Sequence, residues 1–300
     1  MMKTYSGFIA IVGKPNVGKS SLLNEVLGEK LAIVTHKPQT TRTKITGVLT
    51  RGSKQYVFID TPGLHKAQNR LGDNMVKAVN TTLNDIDVVL LVVEPQGPIN
   101  RSEHDLIETI KKRKLPAILV INKIDLLDKK ERLAERIAQF TALHSFDAVV
   151  PVSVLNHDGM ELVMQEVDRY LTESVHFFPD DSLTDQPERV IVAERIREKI
   201  LLNMRQEIPH GTAIVIEKMQ ERDDKDILDI DAVIYCERST HKGMLIGKGG
   251  SVLKKIASEA REDIQSFFGI QVNLQCWVKV KEDWRNKDGL INNFGLSFRE

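Results

Sequence analysis

Residues 13–20 read Gly13-Lys14-Pro15-Asn16-Val17-Gly18-Lys19-Ser20, and each fixed position in that run has a chemical reason if the loop cradles phosphate. The glycines let backbone N–H groups turn inward around the α- and β-phosphates. Lys19 reaches the β- and γ-phosphates, and the Ser20 hydroxyl is placed to hold Mg²⁺. An apolar, strand-like run, Phe8-Ile9-Ala10-Ile11-Val12, feeds the loop, and a helix-like stretch, Ser21 to Leu27, leaves it. That order of strand, loop and helix sets a helix N-terminus, with its partial positive charge, against the phosphates.

Two later runs say which nucleotide. Asp60-Thr61-Pro62-Gly63 follows the strand-like Tyr56-Val57-Phe58-Ile59. A carboxylate at that strand end can fix the metal through a bound water, and Gly63 can offer its N–H to the γ-phosphate. Asn122-Lys123-Ile124-Asp125 follows a third apolar run, Ala117 to Ile121, and resembles the guanine-reading loop of GTPases. Asp125 can accept from both the ring N–H and the exocyclic amine of guanine, donors that adenine lacks in that arrangement. Gln39-Thr40-Thr41-Arg42 resembles a first switch, whose threonine binds Mg²⁺ when the γ-phosphate is present. Thr41 is assigned that role, with Thr40 the alternative. Pro151-Val152-Ser153-Val154 matches the last guanine-contacting loop, which makes Ser153 a candidate, although Val154 stands where alanine is usual. Many small GTPases place a glutamine after the glycine of the second switch to orient the attacking water. This chain has Leu64, which can neither donate nor accept, so slow intrinsic hydrolysis is expected.

The elements that must position these residues alternate. Val88–Val93, a helix over 102–113, Ala117–Ile121, a helix over 129–143, a strand over 148–152 and a helix over 159–171 predict a mostly parallel sheet with helices on both faces. The rhythm stops at residues 174–187, which hold two prolines and several acids and read as a linker between a domain of residues 1–173 and another of residues 188–300 with a C-terminal tail. Phe177 and Phe178 argue that the linker packs on a neighbour. Beyond it the order is helix (188–205), two strands (212–218 and 227–235), a short helix, a helix over 251–267 and a strand over 271–280. Between the helices lies Ile246-Gly247-Lys248-Gly249-Gly250. A Gly-x-x-Gly in that place lets backbone amides and Lys248 clamp a nucleic-acid backbone beside an apolar groove for about four unstacked bases. Arg238, His241, Lys242, Lys248, Lys254 and Lys255 surround it, and Glu237 is the only acid between residues 237 and 258. The pattern is that of an α+β type II KH domain.

The chain has 300 residues, 42 Lys and Arg against 42 Asp and Glu, and two cysteines. Balanced charge advertises no global field toward nucleic acid or membrane, so such a contact must be made by a local patch. Cys236 and Cys276 sit in apolar strand-like contexts and are expected to be buried, reduced thiols. No apolar run approaches the roughly 18 residues of a membrane span. A cytoplasmic, two-domain protein is expected.

From Phe8 to about Trp284 the chain resembles the Era family of the TrmE-Era-EngA-type GTPases, bacterial GTPases with a C-terminal KH domain. The resemblance rests on the phosphate loop, Gln39-Thr40-Thr41-Arg42, Asp60-Thr61-Pro62-Gly63-Leu64, Asn122 to Asp125, Phe177-Phe178-Pro179-Asp180-Asp181, Leu245 to Gly250 and Trp277 to Lys281. It implies a GTP-hydrolysing switch with Mg²⁺ on Ser20, Thr41 and, through water, Asp60. It also implies binding to the 3′ region of 16S ribosomal RNA and a role in assembly of the small (30S) ribosomal subunit. A monomer is expected. In such GTPases an asparagine at the position of Asn16 helps to bind K⁺, which supplies the charge an arginine finger would. A second reading makes the C-terminal domain grip a protein or the inner face of the cell membrane, and a third makes the chain an ATP-using enzyme. Asn122, Lys123 and Asp125 speak against ATP, and the base around Gly247–Gly250 speaks for RNA.

Overall fold

The computed structural model describes residues 3–37, 39–63 and 69–297. They fall into two units, the first within the spans Met1–Ala32, Thr41–Lys66 and Met75–Asp185, the second within Ile33–Thr40, Ala67–Asn74 and Gln186–Glu300.

The first unit is built on strands β1 (Tyr5–Val12), β2 (Ile45–Arg51), β3 (Lys54–Asp60), β4 (Val88–Val93), β5 (Ala117–Ile121) and β6 (Ala148–Pro151), in sheet order β2-β3-β1-β4-β5-β6. Strand β2 runs antiparallel to β3, the other neighbours are parallel, and a two-residue β7 (Thr172–Glu173) pairs with the start of β1. All residues of β4 and β5 are buried, as parallel strands covered on both faces must be. Helices α1 (Lys19–Leu27), α3 (Arg101–Arg113), α4 (Lys130–Thr141) and α5 (Met160–Asp168) follow the strands. Helix α3 starts at a capping box: Asn100 Oδ1 accepts from the Glu103 N–H at 3.0 Å and Glu103 Oε2 accepts from the Asn100 N–H at 2.9 Å. Its last turn carries Lys111, Lys112 and Arg113 against the helix dipole. Ile110, Leu119, Ile121 and Phe140 meet in one core cluster.

Helix α2 (Arg70–Thr82) was not expected from the sequence. Its polar composition and Gly72 hide a regular stripe, Leu71, Met75, Ala78 and Val79, all buried. Residues 174–185 pack with the first unit, as the phenylalanine pair suggested. Gln55, fully buried, accepts from the N–H groups of Phe177 (2.7 Å) and Phe178 (3.0 Å), and the Phe177 ring lies 4.8 Å from that of Phe8. Thr184 Oγ1 donates to the Thr46 carbonyl at 2.5 Å, and the Val48 N–H donates to Leu183 at 2.8 Å, so the segment covers the edge strand β2.

The second unit has the order α6 (Glu188–Asn203), β8 (Thr212–Arg222), β9 (Lys225–Cys236), α7 (Ser239–Ile246), α8 (Ser251–Phe268), β10 (Gln271–Val280). Its sheet, β10-β9-β8, is antiparallel between β8 and β9 and parallel between β9 and β10, and α7 and α8 form the connection that a parallel return requires. Ile196, Ile200, Ile230, Ile234, Ile256 and Ile264 fill the core between helices and sheet.

Part of the C-terminal tail packs into a core of its own. Trp284 is fully buried and donates from Nε1 to the Gly211 carbonyl at 2.9 Å, and helix α9 (Asp288–Asn293) buries Ile291. Phe294 stacks on Tyr235 at 4.8 Å and meets Trp284 edge-on at 5.4 Å. The polar Asn286-Lys287-Asp288-Gly289 stretch masked this second core. Both cysteines are free. Cys236 is buried, whereas Cys276, on the edge strand β10, is only partly so. No helix among the described residues is long and apolar enough to cross a membrane.

Candidate functional site

The carboxyl ends of β1, β3, β4, β5 and β6 carry the loops singled out above, where an open α/β sheet places its ligand. In the phosphate loop two glycines are required by space as well as by backbone. Gly13 has φ 153° and a Cβ there would come within 2.3 Å of the Val92 carbonyl, while Gly18 has φ 98° and a Cβ would come within 2.2 Å of Asn122 Nδ2. The loop is thereby pressed between β4 and the guanine loop. Lys19 is buried and donates from Nζ to the carbonyls of Gly13 (3.2 Å) and Lys14 (3.0 Å), which centres its ammonium in the loop. Burial lowers its pKa to about 8, with the charge of Asp60 opposing the shift.

The sign of that shift yields an expectation. An anion bound beside Lys19 favours the ammonium, so above pH 8 the free protein must take up a proton as it binds nucleotide. Proton uptake measured calorimetrically in two buffers should be near zero at pH 7 and approach about one per GDP at pH 9, with affinity falling as pH rises through that range. A pH-independent uptake would remove Lys19 from the phosphate contact. In the nucleotide-free protein the lowered pKa makes the same group cost stability at neutral pH, a cost relieved as pH rises from about 8 toward the unfolded value, because the unfolded chain then binds the extra proton.

Ser20, Thr41 and Asp60 converge. Ser20 Oγ donates to Asp60 Oδ2 at 2.6 Å and lies 2.9 Å from Thr41 Oγ1, which is 3.4 Å from the same carboxylate oxygen. Asp60 is fully buried; burial raises its pKa, while Lys19 and the two hydroxyls pull it back. Its Oδ1 is buried with no hydrogen-bond partner. Two hydroxyls and a carboxylate form a hard, all-oxygen donor set that fits Mg²⁺. Thr61 Oγ1 donates to the Ile11 carbonyl at 2.9 Å, and Pro62 is buried. A Cβ on Gly63 would stand 2.7 Å from Pro15, so only glycine brings the second switch this close to the phosphate loop. Leu64 lies outside the described residues.

The first-switch candidates part company. Thr41 sits with Ser20 and Asp60, and Arg42 is buried beside it in sequence. Thr40 belongs to the second unit, where its Oγ1 bonds Thr35 Oγ1 and the Lys37 carbonyl, each at 2.7 Å, and its carbonyl accepts from Arg197. Gln39, with φ 58°, precedes it in a left-handed turn.

In the guanine loop, Asn122 donates from Nδ2 to the Val17 carbonyl at 2.8 Å, and its Oδ1 accepts from the N–H groups of Lys123 (2.7 Å) and Val154 (3.2 Å). Lys123 Nζ donates to the Asn16 carbonyl at 2.6 Å. Ser153, buried, donates from Oγ to Asp125 Oδ1 at 2.5 Å, and its backbone is bridged to Asp158. Asp125 itself is exposed. Val154 contributes a backbone N–H, which explains why valine can stand at an alanine position. Motif matching missed Glu94, which accepts from both Lys14 and Lys123; a lone acid after a strand gave no signal.

In the second unit, Gly247 ends α7 with φ 72°, and a Cβ there would meet the Val252 side chain at 2.5 Å. Gly249 (φ 59°) and Gly250 (φ 81°) have nothing within 4 Å of an added Cβ. The turn therefore leaves backbone exposed at Lys248 and Gly249, with the unit's positive-φ glycines supplying the bend. Ile246 packs on the core below it. Lys254, one turn into α8, is exposed, and Lys242 on α7 is partly so.

A mostly parallel sheet bearing phosphate, metal and guanine loops defines a P-loop GTPase, and α-β-β-α-α-β with a Gly-x-x-Gly turn defines a type II KH domain. The comparisons agree. Residues 8–123 match the family model of a 50S ribosome-binding GTPase, and residues 207–285 that of a KH domain. GTPase Era of Clostridioides difficile (strain 630) is 50% identical over 292 residues, covering 97% of this chain and 98% of the relative. GTPase Era of Ruminiclostridium cellulolyticum is 45% identical, covering 98% of each. Two solved structures are 34% identical with a TM-score of 0.94, covering 98% of this chain and 100% of theirs. One is a variant of Aquifex aeolicus Era bound to GDP and AlF4⁻; the other is Era with MgGDPNP and nucleotides 1506–1542 of 16S ribosomal RNA. The chain belongs to the Era family and is a GTPase.

Proposed function

We propose that this chain couples GTP hydrolysis to binding of the 3′ region of 16S ribosomal RNA, and that it assists assembly of the 30S subunit in the cytoplasm as a monomer. The observation that carries the RNA assignment is the Gly247–Gly250 turn, open on its outer side and rimmed by Lys242, Lys248 and Lys254, in a family where a relative 34% identical and covering 98% of this chain was solved with that RNA segment. Phosphates need close backbone approach and cations, and the turn offers both.

In the nucleotide site, residues 13–19 hold the phosphates, and Ser20, Thr41 and Asp60 would hold Mg²⁺, Asp60 through water. That ion, when bound, offsets charge on the β- and γ-phosphates. Lys19 brings its ammonium to the same charge. Asn122 ties the guanine loop to the phosphate loop, and Ser153 orients Asp125 toward the ring N–H and amine of the base. Thr61, Pro62 and Gly63 set the second switch beside Pro15. Because Leu64 cannot orient water, intrinsic turnover is slow. Asn16, exposed at the crest of the loop with φ 65°, is the residue we assign to K⁺.

Replacing K⁺ by Na⁺ at equal ionic strength should slow hydrolysis about tenfold in the parent and matter little in Asn16→Ala. Equal turnover in the two salts would remove the K⁺ assignment and leave the GTPase untouched. For the RNA assignment, crosslinking in cells followed by sequencing should recover the 3′ end of 16S ribosomal RNA. Recovery of no RNA would favour a protein or membrane partner for the second unit.

A further inference from the structure

We infer that Glu94 is a positioning residue of the GTPase site, its carboxylate clamping the phosphate loop to the guanine loop through Lys14 and Lys123. The inference rests on the assignment of residues 13–20 and 122–125 to the nucleotide. In the sheet β4 lies between β1 and β5, and Glu94 is the first residue after β4, so it stands between the loops that leave those two neighbours. Its Oε2 accepts from Lys14 Nζ at 2.9 Å and its Oε1 from Lys123 Nζ at 2.7 Å. Lys123 Nζ also donates to the Asn16 carbonyl at 2.6 Å. These bonds close a ring through Lys14, Glu94, Lys123 and the backbone of Asn16.

The ring is anchored from below. Arg136, buried on α4, donates from Nε to the Glu94 carbonyl at 2.9 Å and from Nη1 to the Gly97 carbonyl at 2.8 Å, with its guanidinium 4.5 Å from the centre of the Phe140 ring. Burial pushes the Glu94 carboxyl up, but the hydrogen bonds from Lys123 and Lys14 outweigh it and hold the group below the usual carboxylate range. The carboxylate is thus charged at neutral pH.

Its effect is to hold two ammonium groups that would otherwise repel each other. Without the negative charge, Lys123 loses the partner that keeps it over the Asn16 carbonyl. Asn16, a non-glycine residue at φ 65°, then loses the bond from Lys123 to its carbonyl, one of the contacts that hold it in a sparsely populated backbone region. Both loops loosen together. Glu94 touches none of Ser20, Thr41 or Asp60, so in Na⁺, where the K⁺ assigned to Asn16 plays no part, the loss falls equally on ground and transition states and appears in KM rather than kcat.

Glu94→Gln, Lys14→Gln, their double variant and Glu94→Asp, all in the full chain, test this with a fluorescent GDP analogue and GTP turnover. In Na⁺, Glu94→Gln should release GDP about tenfold faster and raise KM for GTP alike, with kcat within about twofold. The double variant should be no worse than the worse single, because both changes open the same ring, and Glu94→Asp should recover part of the loss. Release within about twofold of the parent, losses that multiply in the double variant, or a kcat that falls with affinity intact would overturn the clamp. If Glu94→Gln folds poorly, faster GDP release in Lys14→Gln alone remains required. Failure of the parent to bind GDP would instead overturn the nucleotide assignment beneath it.

Discussion

Asp125→Asn should cut affinity for GTP by about 100-fold or more and bring xanthosine triphosphate into competition with it. The guanine N1–H and exocyclic amine both donate, and a carboxylate can accept from both; an amide offers them one acceptor and one repelled N–H. Xanthine carries a carbonyl where guanine carries the amine, so the new amide finds a partner there. The substitution suits the fold, because the amide oxygen of the variant could still accept from Ser153 Oγ, which bonds Asp125 at 2.5 Å. The phosphate contacts are untouched, and the change is therefore one of base choice. Competition between the two triphosphates against a labelled GDP reads it directly. Unchanged GTP affinity in the variant would remove Asp125 from the base and, with it, the reason for preferring guanine.

How much of this was legible in the chain depended on whether a residue's neighbours are near in sequence. The phosphate loop, Asp60 to Gly63 and Asn122 to Asp125 are contiguous motifs after apolar strands, and the structure brings them to the same carboxyl edge of one sheet. Strand β10 was read with its observed bounds, Gln271–Val280. Thr40 and Thr41 could not be separated from composition, since two adjacent threonines in a polar loop are alike until the backbone turns. The turn at Gln39 puts only Thr41 beside Ser20 and Asp60. Glu94 was invisible for a different reason: its partners are 80 residues before it and 29 after it, as the separation from Lys14 and Lys123 shows. The C-terminal core was missed because Trp284, Ile291 and Phe294 are spaced through polar residues, and their apolar partners, Tyr235 and Ala213, come from a distant strand pair.

Lys248→Asp combined with Gly249→Asp should abolish most RNA affinity, by about 100-fold at moderate salt, while leaving GTP binding unchanged. Two physical effects add. The turn exchanges one positive charge for two negative ones where phosphates approach, and residue 249, whose outer side is open, gains a side chain in the path of the nucleic-acid backbone. Gly249 has φ 59°, a conformation that aspartate tolerates better than most residues, and nothing lies within 4 Å of an added Cβ, so the KH fold should survive. Nucleotide binding belongs to the first unit and needs neither residue. The decisive measurement is the binding of a single-stranded RNA from the 3′ end of 16S ribosomal RNA to both proteins at one fixed salt concentration. The account predicts tight binding by the parent and about 100-fold weaker binding by the double variant, with equal GDP affinity in the two; parent-like RNA affinity in the double variant would contradict it.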